Sequence, residues 1–469
     1  MTGLVVQILM WACFAFGALH YLCIFLFGGL SRRYLHRSRA SMRFGARDVA
    51  SRGKLPAVSI LMPAYNEEVV IVEAVRSALS MNYDDLEIIV VNDGSSDRTV
   101  DVLVEAFSMV ELRTPPSSGP IACQLVLRVF RSKFDDRLVV VDKARAGSKG
   151  DGVNCGINMA TKEWVVVMDG DELVDPDALL RCMTQMRHTP GEVGAIGVTL
   201  LPTNGCDVSR GRVVTPRVSS NIVVGFQIVE YLSAFVMSRP GMAEIDALPI
   251  ISGGFGVFRR SELVAIGGFP HPHLGEDLEI VVRMRRKWKE TGSNLRVIQV
   301  ADAIVWTEFP SKVDSLRRQR MRWHRGLRQV LSAHRDAIGR PRYGSFGTIG
   351  LMVMFLFEWV APFIEVLGYF AAILLGMIDF SRLRSGFGML VAAQLLGVLI
   401  TTSSVWTATN HLGVYRGWKD TLRLLAFAVG SQFGFRQLTL YWRMRSLSKK
   451  SQAWGAMQRV GYSSSPPSN

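Results

Sequence analysis

Four acidic sites and one basic–aromatic cluster carry the chemistry this chain could perform. Asp169-Gly170-Asp171 follows the apolar run Trp164 to Met168. Two acids at i and i+2 on a turn can reach a divalent cation and a bound phosphorylated group together. A solvated turn is the plainer reading of such a triplet, but its place at the end of a buried-looking strand favours the chemical one. Asp93 closes a second apolar run, Leu86 to Val91, and the segment Pro63-Ala64-Tyr65-Asn66-Glu67 ends a third. A tyrosine can stack on a base and an aspartate can accept from a uracil imide; turn and cap chemistry is the rival account. Glu276 and Asp277 precede the helical pattern Leu278, Val281, Val282, Met284. They are either first-turn acids favoured by the helix dipole or the source of a general base. Gln319 and Arg322 share a helical face, and Trp323 lies beside them. Arginine suits a diphosphate and tryptophan suits a sugar face. A basic amphipathic helix explains the charge here, but not the tryptophan.

Gly147-Ser148-Lys149-Gly150 opens a helical stretch, and glycines with a lysine at a helix start suit phosphate. Its first glycine is misplaced for a P-loop, so that reading is rejected. His271, His273 and His324 show no ligand spacing. The six cysteines lack any C-x-x-C or zinc-like arrangement and read as reduced and unligated.

The elements that must position these residues fall into blocks. Net charge is +14 and mean hydropathy is +0.21, an average that hides segregation into apolar and globular parts. Val5 to Leu30 is uncharged and exceeds the roughly 20 residues that cross a hydrocarbon core. It lacks a basic leader and a cleavage site, so it reads as an anchor (residues 1–30). Residues 31–54 hold eight Lys/Arg against one acid. That run reads as a cytoplasmic linker facing anionic lipid, with the N-terminus outside. Nucleic-acid binding finds no supporting module. Between residues 55 and 311, apolar runs alternate with helical spacing: strands at Val58–Ala64, Leu86–Val91, Arg137–Val141 and Trp164–Met168, helices between them, and a surface loop over 111–120. That alternation implies an α/β fold with ligand at the strand carboxyl ends. Asn221 to Met237 reads as a core or interfacial helix. Residues 312–340 read as an amphipathic helix on a membrane surface. Residues 346–443 form two to three spans. Gly347 to Ile378 is one kinked helix or an interfacial turn leading into a span, Gly386 to Ala408 is a clear span, and Leu422 to Trp442 is ambiguous. Glu358, Glu365, Gln432, Arg436 and Gln437 interrupt these segments and either line a hydrated path or pair with one another. Residues 444–469 form a tail.

In their order and context these motifs resemble the processive family 2 glycosyltransferases, the cellulose, hyaluronan, chitin-oligosaccharide and poly-N-acetylglucosamine synthases. The resemblance covers about residues 56–330 and the flanking spans. It implies a GT-A fold, a doubly wound mixed sheet flanked by transmembrane helices. It implies inverting transfer from a UDP-sugar donor to a growing polysaccharide acceptor, with Mg²⁺ or Mn²⁺ as cofactor. Membrane lipids and auxiliary export subunits are its further partners. Position by position, Asp93 would bind uridine with Tyr65 and Glu67 beside it. Asp169 would contact the nucleotide, Asp171 would hold the metal, and Asp277 would be the general base. Gln319 and Arg322 would grip the diphosphate, and Trp323, Glu276 and Gly254 would line the acceptor site. Lys149 is a weaker transfer, because Gly-Ser-Lys-Gly-Asp-Gly stands where Gly-Lys-Ala-x-Ala-Leu is commoner. Transfer to a lipid carrier on the same fold is the alternative, and an inactive membrane scaffold is a third reading.

Overall fold

The computed structural model describes residues 2–51, 54–112, 119–378 and 380–447. Two compact units emerge.

One unit holds the sheet. Val/Ile-rich runs form β1 (Val58–Ala64), β2 (Leu86–Asp93), β5 (Leu138–Lys143) and β6 (Trp164–Met168). They pair in parallel in the order β5-β2-β1-β6. Central parallel strands are covered on both faces, which is why they read as unbroken apolar runs rather than alternating ones. β3 (Met109–Glu111) and β4 (Val126–Ser132) extend one edge antiparallel. Past β6 the sheet becomes mixed: β11 (Phe255–Arg259) runs antiparallel between β6 and β8 (Val193–Pro202), then β12 (Arg296–Thr307) and the short β7 (Leu173–Val174) follow. β9 (Asp207–Ser209) and β10 (Arg212–Thr215) form a separate hairpin. From β1 the chain moves outward to β2 and β5, then returns to β6 on the other side. Ligands bind at such a switch point, beyond the carboxyl ends of the strands. This is a doubly wound mixed sheet of GT-A type.

The other unit is helical. Four helices among the described residues are long and apolar enough to cross a membrane: Leu4–Ser38, Ile222–Glu244, Phe346–Ile378 and Phe387–Leu412. The stretch Asn221 to Met237, expected as a core or interfacial helix, falls in Ile222–Glu244, which meets the length and composition of a span. Its start is fixed by Asn221, whose side chain accepts from the Val223 and Val224 amides. Phe346–Ile378 is one helix, with π turns at Phe346–Leu351 and Met354–Val360 ahead of Pro362, which lacks a backbone donor. The ambiguous segment Leu422 to Trp442 is not a continuous helix. Trp418–Gly430 and Arg436–Arg445 are separated by non-helical Phe433 and by Gly434 at φ +88°, a conformation open to glycine because it has no Cβ.

The polar residues here are engaged by protein groups, Arg436 and Glu365 by each other and the rest by neighbours outside the set. The Arg436 guanidinium donates to Glu365 and to Tyr21 Oη (2.5 Å), Gln437 to Tyr369 Oη (3.2 Å), Gln432 to Thr401 (3.1 Å), and Arg443 lies 3.4 Å from Glu358. The basic run expected as a linker continues the first helix, which extends over Thr2–Ser51. The tail from residue 448 lies outside the described residues, as do positions 113–118 of the expected surface loop.

Candidate active site

At the carboxyl ends of β1 and β2 the chain is latched by side chains. Asn66, at φ +54°, donates its amide to Ser95 Oγ (2.9 Å), and its Oδ1 accepts from the Ser96 amide (2.9 Å). The Glu67 amide donates to Thr99 Oγ1 at 2.9 Å. Tyr65 presents its ring to Arg145, whose guanidinium carbon stands 4.3 Å from the ring centroid. A planar cation over an aromatic face is a favourable pairing, and the same ring is the one expected to stack a base.

Asp93 is engaged by protein donors. Its carboxylate accepts from Ala146 N and Gly147 N at 2.9 Å each and is ion-paired with the buried Lys143 ammonium. Three protein donors engage the carboxylate expected to meet uracil, and they tie the 144–147 turn to the end of β2. Lys143 also pairs with Asp151 at 2.7 Å. Burial opposes its charge, but Asp151 and Asp93 outweigh burial and raise its pKa. A lysine closing an apolar strand was the sequence signal for this anchor, and it was missed.

Lys149 begins the helix Lys149–Met159. Its ammonium is ion-paired with Asp169 and donates to the Gly253 carbonyl at 2.6 Å. Burial alone would lower its pKa, but Asp169 and Glu276 outweigh burial and hold it above its ordinary range. Glu276 therefore shares the field of this lysine. The Asp169 amide donates to the Gly254 carbonyl at 3.0 Å, where β6 meets β11. Asp171 is buried and accepts from Thr307 Oγ1 at 3.2 Å, so β12 helps to aim it.

Glu172 was not singled out in the sequence. It is buried beside the triplet, accepts from the Asp169 amide at 3.2 Å, and fills the space where a Gly254 side chain would stand. Burial, then Asp169 and Asp171, push its pKa well up. Asp169, Glu276 and Glu172 lie in the field of the Lys149 ammonium. Among the described residues no group of three or more His, Cys, Asp or Glu is placed to hold a metal ion, so a divalent cation at the Asp169–Asp171 turn would need most of its ligands from a bound diphosphate.

The helix Glu276–Glu290 opens with Glu276, Asp277 and Glu279 in its first turn. Asp277 Oδ1 accepts from the Leu278 amide at 2.8 Å. The carboxylate packs on Gly253: a Cβ there would come 3.2 Å from Asp277 Cβ and 3.5 Å from Oδ2. Asp169, Lys149, Gly253 and Asp277 therefore form one continuous line. A small, mostly apolar cleft lies beside Asp277, walled by Val167, Ile251, Gly256, Phe258 and Ile280.

Gln319, Arg322 and Trp323 lie on the helix Val313–Ala333, within the helical unit. Gln319 Oε1 is buried and has no hydrogen-bond partner among the described residues. Trp323 is 37% exposed, and Arg320 stands 4.8 Å from its ring centroid. Arg320, another residue that sequence reasoning missed, is buried and ion-paired with Glu230 at 2.6 Å. His324 is buried on the next turn. Burial, reinforced by Arg443 and Arg328, lowers its pKa to about 4.

The family model described as Glycosyl transferase family group 2 matches residues 164–412, and that described as Glycosyl transferase family 2 matches residues 59–261. Poly-beta-1,6-N-acetyl-D-glucosamine synthase of Staphylococcus aureus (strain COL) is 25% identical over 280 residues, 59% of this chain and 56% of the relative. The synthase of the same name from Staphylococcus epidermidis gives the same identity and coverage. The chain thus spans little more than half the length of these relatives. Among solved structures, the mannosyltransferase PcManGT from Pyrobaculum calidifontis, in complex with GDP-Man and Mn²⁺, is 20% identical. It aligns over 91% of this chain and 99% of its own at a TM-score of 0.48. S. aureus TarS 1–349 in complex with UDP-GlcNAc is 13% identical, with 81% and 92% covered and a TM-score of 0.39.

Proposed function

This chain belongs to glycosyl transferase family group 2, and on that premise we propose that it extends a β-linked polysaccharide from a UDP-sugar at the cytoplasmic face of a membrane. The donor class is a UDP-N-acetylhexosamine, in keeping with the poly-N-acetylglucosamine synthases among its relatives. The reaction is a single displacement at the anomeric carbon. Asp277 takes the proton from the acceptor hydroxyl as that oxygen attacks, the bond to UDP breaks, and the configuration inverts.

The observation that carries this reading is the line from Asp169 through Lys149 and Gly253 to Asp277. It sets a cationic leaving-group site and a proton acceptor on opposite sides of one loop. Tyr65, with Arg145 over it, offers a face to the base, while Asp93 and Lys143 shape the turn beneath. Glu67 lies at the same strand end. Lys149 offers positive charge to the diphosphate. Asp171 and Asp169 would hold Mg²⁺ or Mn²⁺, which when bound neutralises charge on the leaving diphosphate. Glu276 and Gly254 border the acceptor side. The roles of Gln319 and Arg322 on the diphosphate, and of Trp323 under the acceptor, rest on the motif alone.

Extrusion of the polymer through the chain's own helices belongs to the same proposal. A second reading, transfer of one sugar to a lipid carrier, is favoured by one observation: Arg436 is engaged by Glu365 and Tyr21, Gln437 donates to Tyr369 and Gln432 to Thr401, so these side chains are engaged by neighbouring protein groups rather than standing open to a hydroxyl-rich chain. The deciding experiment uses sealed vesicles with the catalytic domain outward and labelled UDP-N-acetylglucosamine. Processive synthesis with export yields high-molecular-weight product in the lumen, protected from added glycosidase, and Trp323→Ala shortens or abolishes it while donor hydrolysis persists. Product that stays accessible rejects export, and product that leaves as a single-sugar lipid favours carrier transfer.

A further inference from the structure

The segment 266–275 carries the chain from the short helix Arg260–Ala265 into the helix that bears Asp277. Asn154 clasps this segment at Phe269. Its Nδ2 donates to the Phe269 carbonyl at 2.9 Å, and its Oδ1 accepts from the Phe269 amide at 2.7 Å. Asn154 is buried, so both bonds are made out of reach of bulk water. It lies on the helix Lys149–Met159, whose first residue pairs with Asp169. The fit is close. Gly268, at φ +76°, lies against the amide, and a Cβ there would come 2.4 Å from Asn154 Oδ1. One on Gly150 would come 2.8 Å from the Pro270 carbonyl oxygen. The segment therefore runs along this helix from Asn154 to its first turn. It is tied to the other helix as well: Arg283 donates to the Ile266 carbonyl and, at 3.2 Å, to that of Gly268. Phe269 in turn walls the cleft beside Asp277, its ring edge-on to Phe258 with centroids 5.9 Å apart. One buried amide thus joins the element that presents Lys149 to the element that presents Asp277.

We propose that Asn154 is a positioning residue for Asp277, setting the distance between the acceptor's base and the donor's leaving group. A primary amide suits the task because it offers a donor and an acceptor at once, as a peptide group does. Two opposed bonds to one residue fix its place and its orientation, where a single bond would leave a pivot. Reacting groups must be held to within about 0.5 Å of the productive geometry, and a displacement of about 1 Å costs about 10²-fold in rate. Asn154 acts through residues 268–270 and Arg283 on the helix of Asp277, and not on the substrate.

This inference rests on the glycosyl transfer proposed above, and the experiment separates the two. Full-length wild type and Asn154→Ala are given UDP-N-acetylglucosamine with a saturating soluble oligosaccharide acceptor. Calorimetric titration of UDP gives its affinity and counts the competent molecules. Per UDP-binding molecule, kcat should fall about 10- to 100-fold. UDP affinity should be unchanged, because Lys149 and Asp169 keep their contact. Lower thermal stability with wild-type kcat per binding site makes Asn154 a loop fastener and nothing more, and overturns the proposal. A loss of UDP affinity that matches the loss of kcat overturns it as well. Gly268→Ala strikes the clasp from the loop side and leaves the helix of Lys149 unaltered. It should reproduce the fall in kcat at unchanged UDP affinity, and full activity overturns the proposal. Wild type alone supplies a test that no misfolding can blunt: hydrogen exchange should find the Phe269 amide strongly protected, and rapid exchange there means that the clasp is open in solution and overturns the proposal. Wild type that transfers to no saccharide acceptor overturns the proposed reaction, and this inference with it.

Discussion

Replacing Asp277 by asparagine isolates the proton-accepting role from every other thing the residue does. Asp277 Oδ1 accepts from the Leu278 amide at 2.8 Å, and its side chain packs against Gly253. Asparagine keeps the shape and retains a carbonyl oxygen for that amide, so the hydrogen bond, worth about 1 kcal/mol, survives. Asp277 lies in the first turn behind the N-cap Gly275, so the helix start loses only a carboxylate's interaction with the helix dipole, about 0.3–1 kcal/mol. What disappears is a group able to take the acceptor proton. Losing a general base costs about 10²–10⁴-fold, or about 2.7–5.4 kcal/mol at the barrier. Lys149 and Asp169 stay in place, so nucleotide affinity should hold. UDP release with a saturating oligosaccharide acceptor gives kcat, and calorimetric titration of UDP gives binding. A variant within threefold of wild type in kcat refutes the assignment of Asp277 as base. Loss of UDP binding together with activity would instead make Asp277 a structural support of the Gly253 loop.

Lys149→Met removes the charge that Asp169 and the Gly253 carbonyl share. Losing the ammonium would also leave the diphosphate without a charged partner, a loss of about 1.5–3 kcal/mol. kcat/KM for the donor should fall about 10- to 150-fold, and a change under twofold refutes the role. Chelation with EDTA should stop transfer by wild type, Mn²⁺ or Mg²⁺ should restore it, and Asp171→Ala should raise the metal concentration needed or end activity; full turnover in excess EDTA refutes metal dependence. His324 supplies the pH test. Its folded pKa of about 4 lies below the ordinary 6.5, so between those values the unfolded chain binds more protons and stability rises with pH. Stability should be complete above about pH 6.5 and decline toward pH 4, by at most about 1.4 kcal/mol per pH unit. Thermal unfolding in detergent at pH 7 and pH 5 should show that loss, and His324→Gln should flatten it.

The strand ends were legible because parallel strands covered on both faces must be apolar throughout, and β1, β2, β5 and β6 announce themselves as such. Their carboxyl ends located Asp93 and Asp169 directly. The far side of the sheet was not read in that way. β11 enters antiparallel behind Ser252-Gly253-Gly254, and β12 carries Gln299 and Asp302 within its apolar run. Pairing across the sheet cannot be deduced from a strand's own residues, since register is set by its neighbours. The site's supports were hidden for a related reason. Lys143, Glu172 and Arg320 are charged residues that composition assigns to the surface, yet each is buried against an opposite charge or a backbone donor from another element. Asp93 shows the complementary case: its place at a strand end could be read, but the donors that engage its carboxylate come from residues 143–147, and their arrival is a property of the folded turn.

The pairing of Arg436 with Glu365 and Tyr21 bears on how the helical unit is put together. A charge placed alone in a hydrocarbon layer costs about 2.5–3.5 kcal/mol even on the gentler insertion scales. Arg436 meets its partners from 71 and 415 positions away in the chain. The last helix, Arg436–Arg445, is not among the four described helices long and apolar enough to cross a membrane, and its arginine is held by side chains of the first and third of them. Its break at Phe433 and Gly434 points the same way, since freed backbone groups also need a protein lining. The N-terminal helix, read from sequence as a tether, is in this light a template. Another apolar helix of equal length would anchor the chain but lack the hydroxyl of Tyr21, so the C-terminal segment would arrive with one fewer hand to receive it.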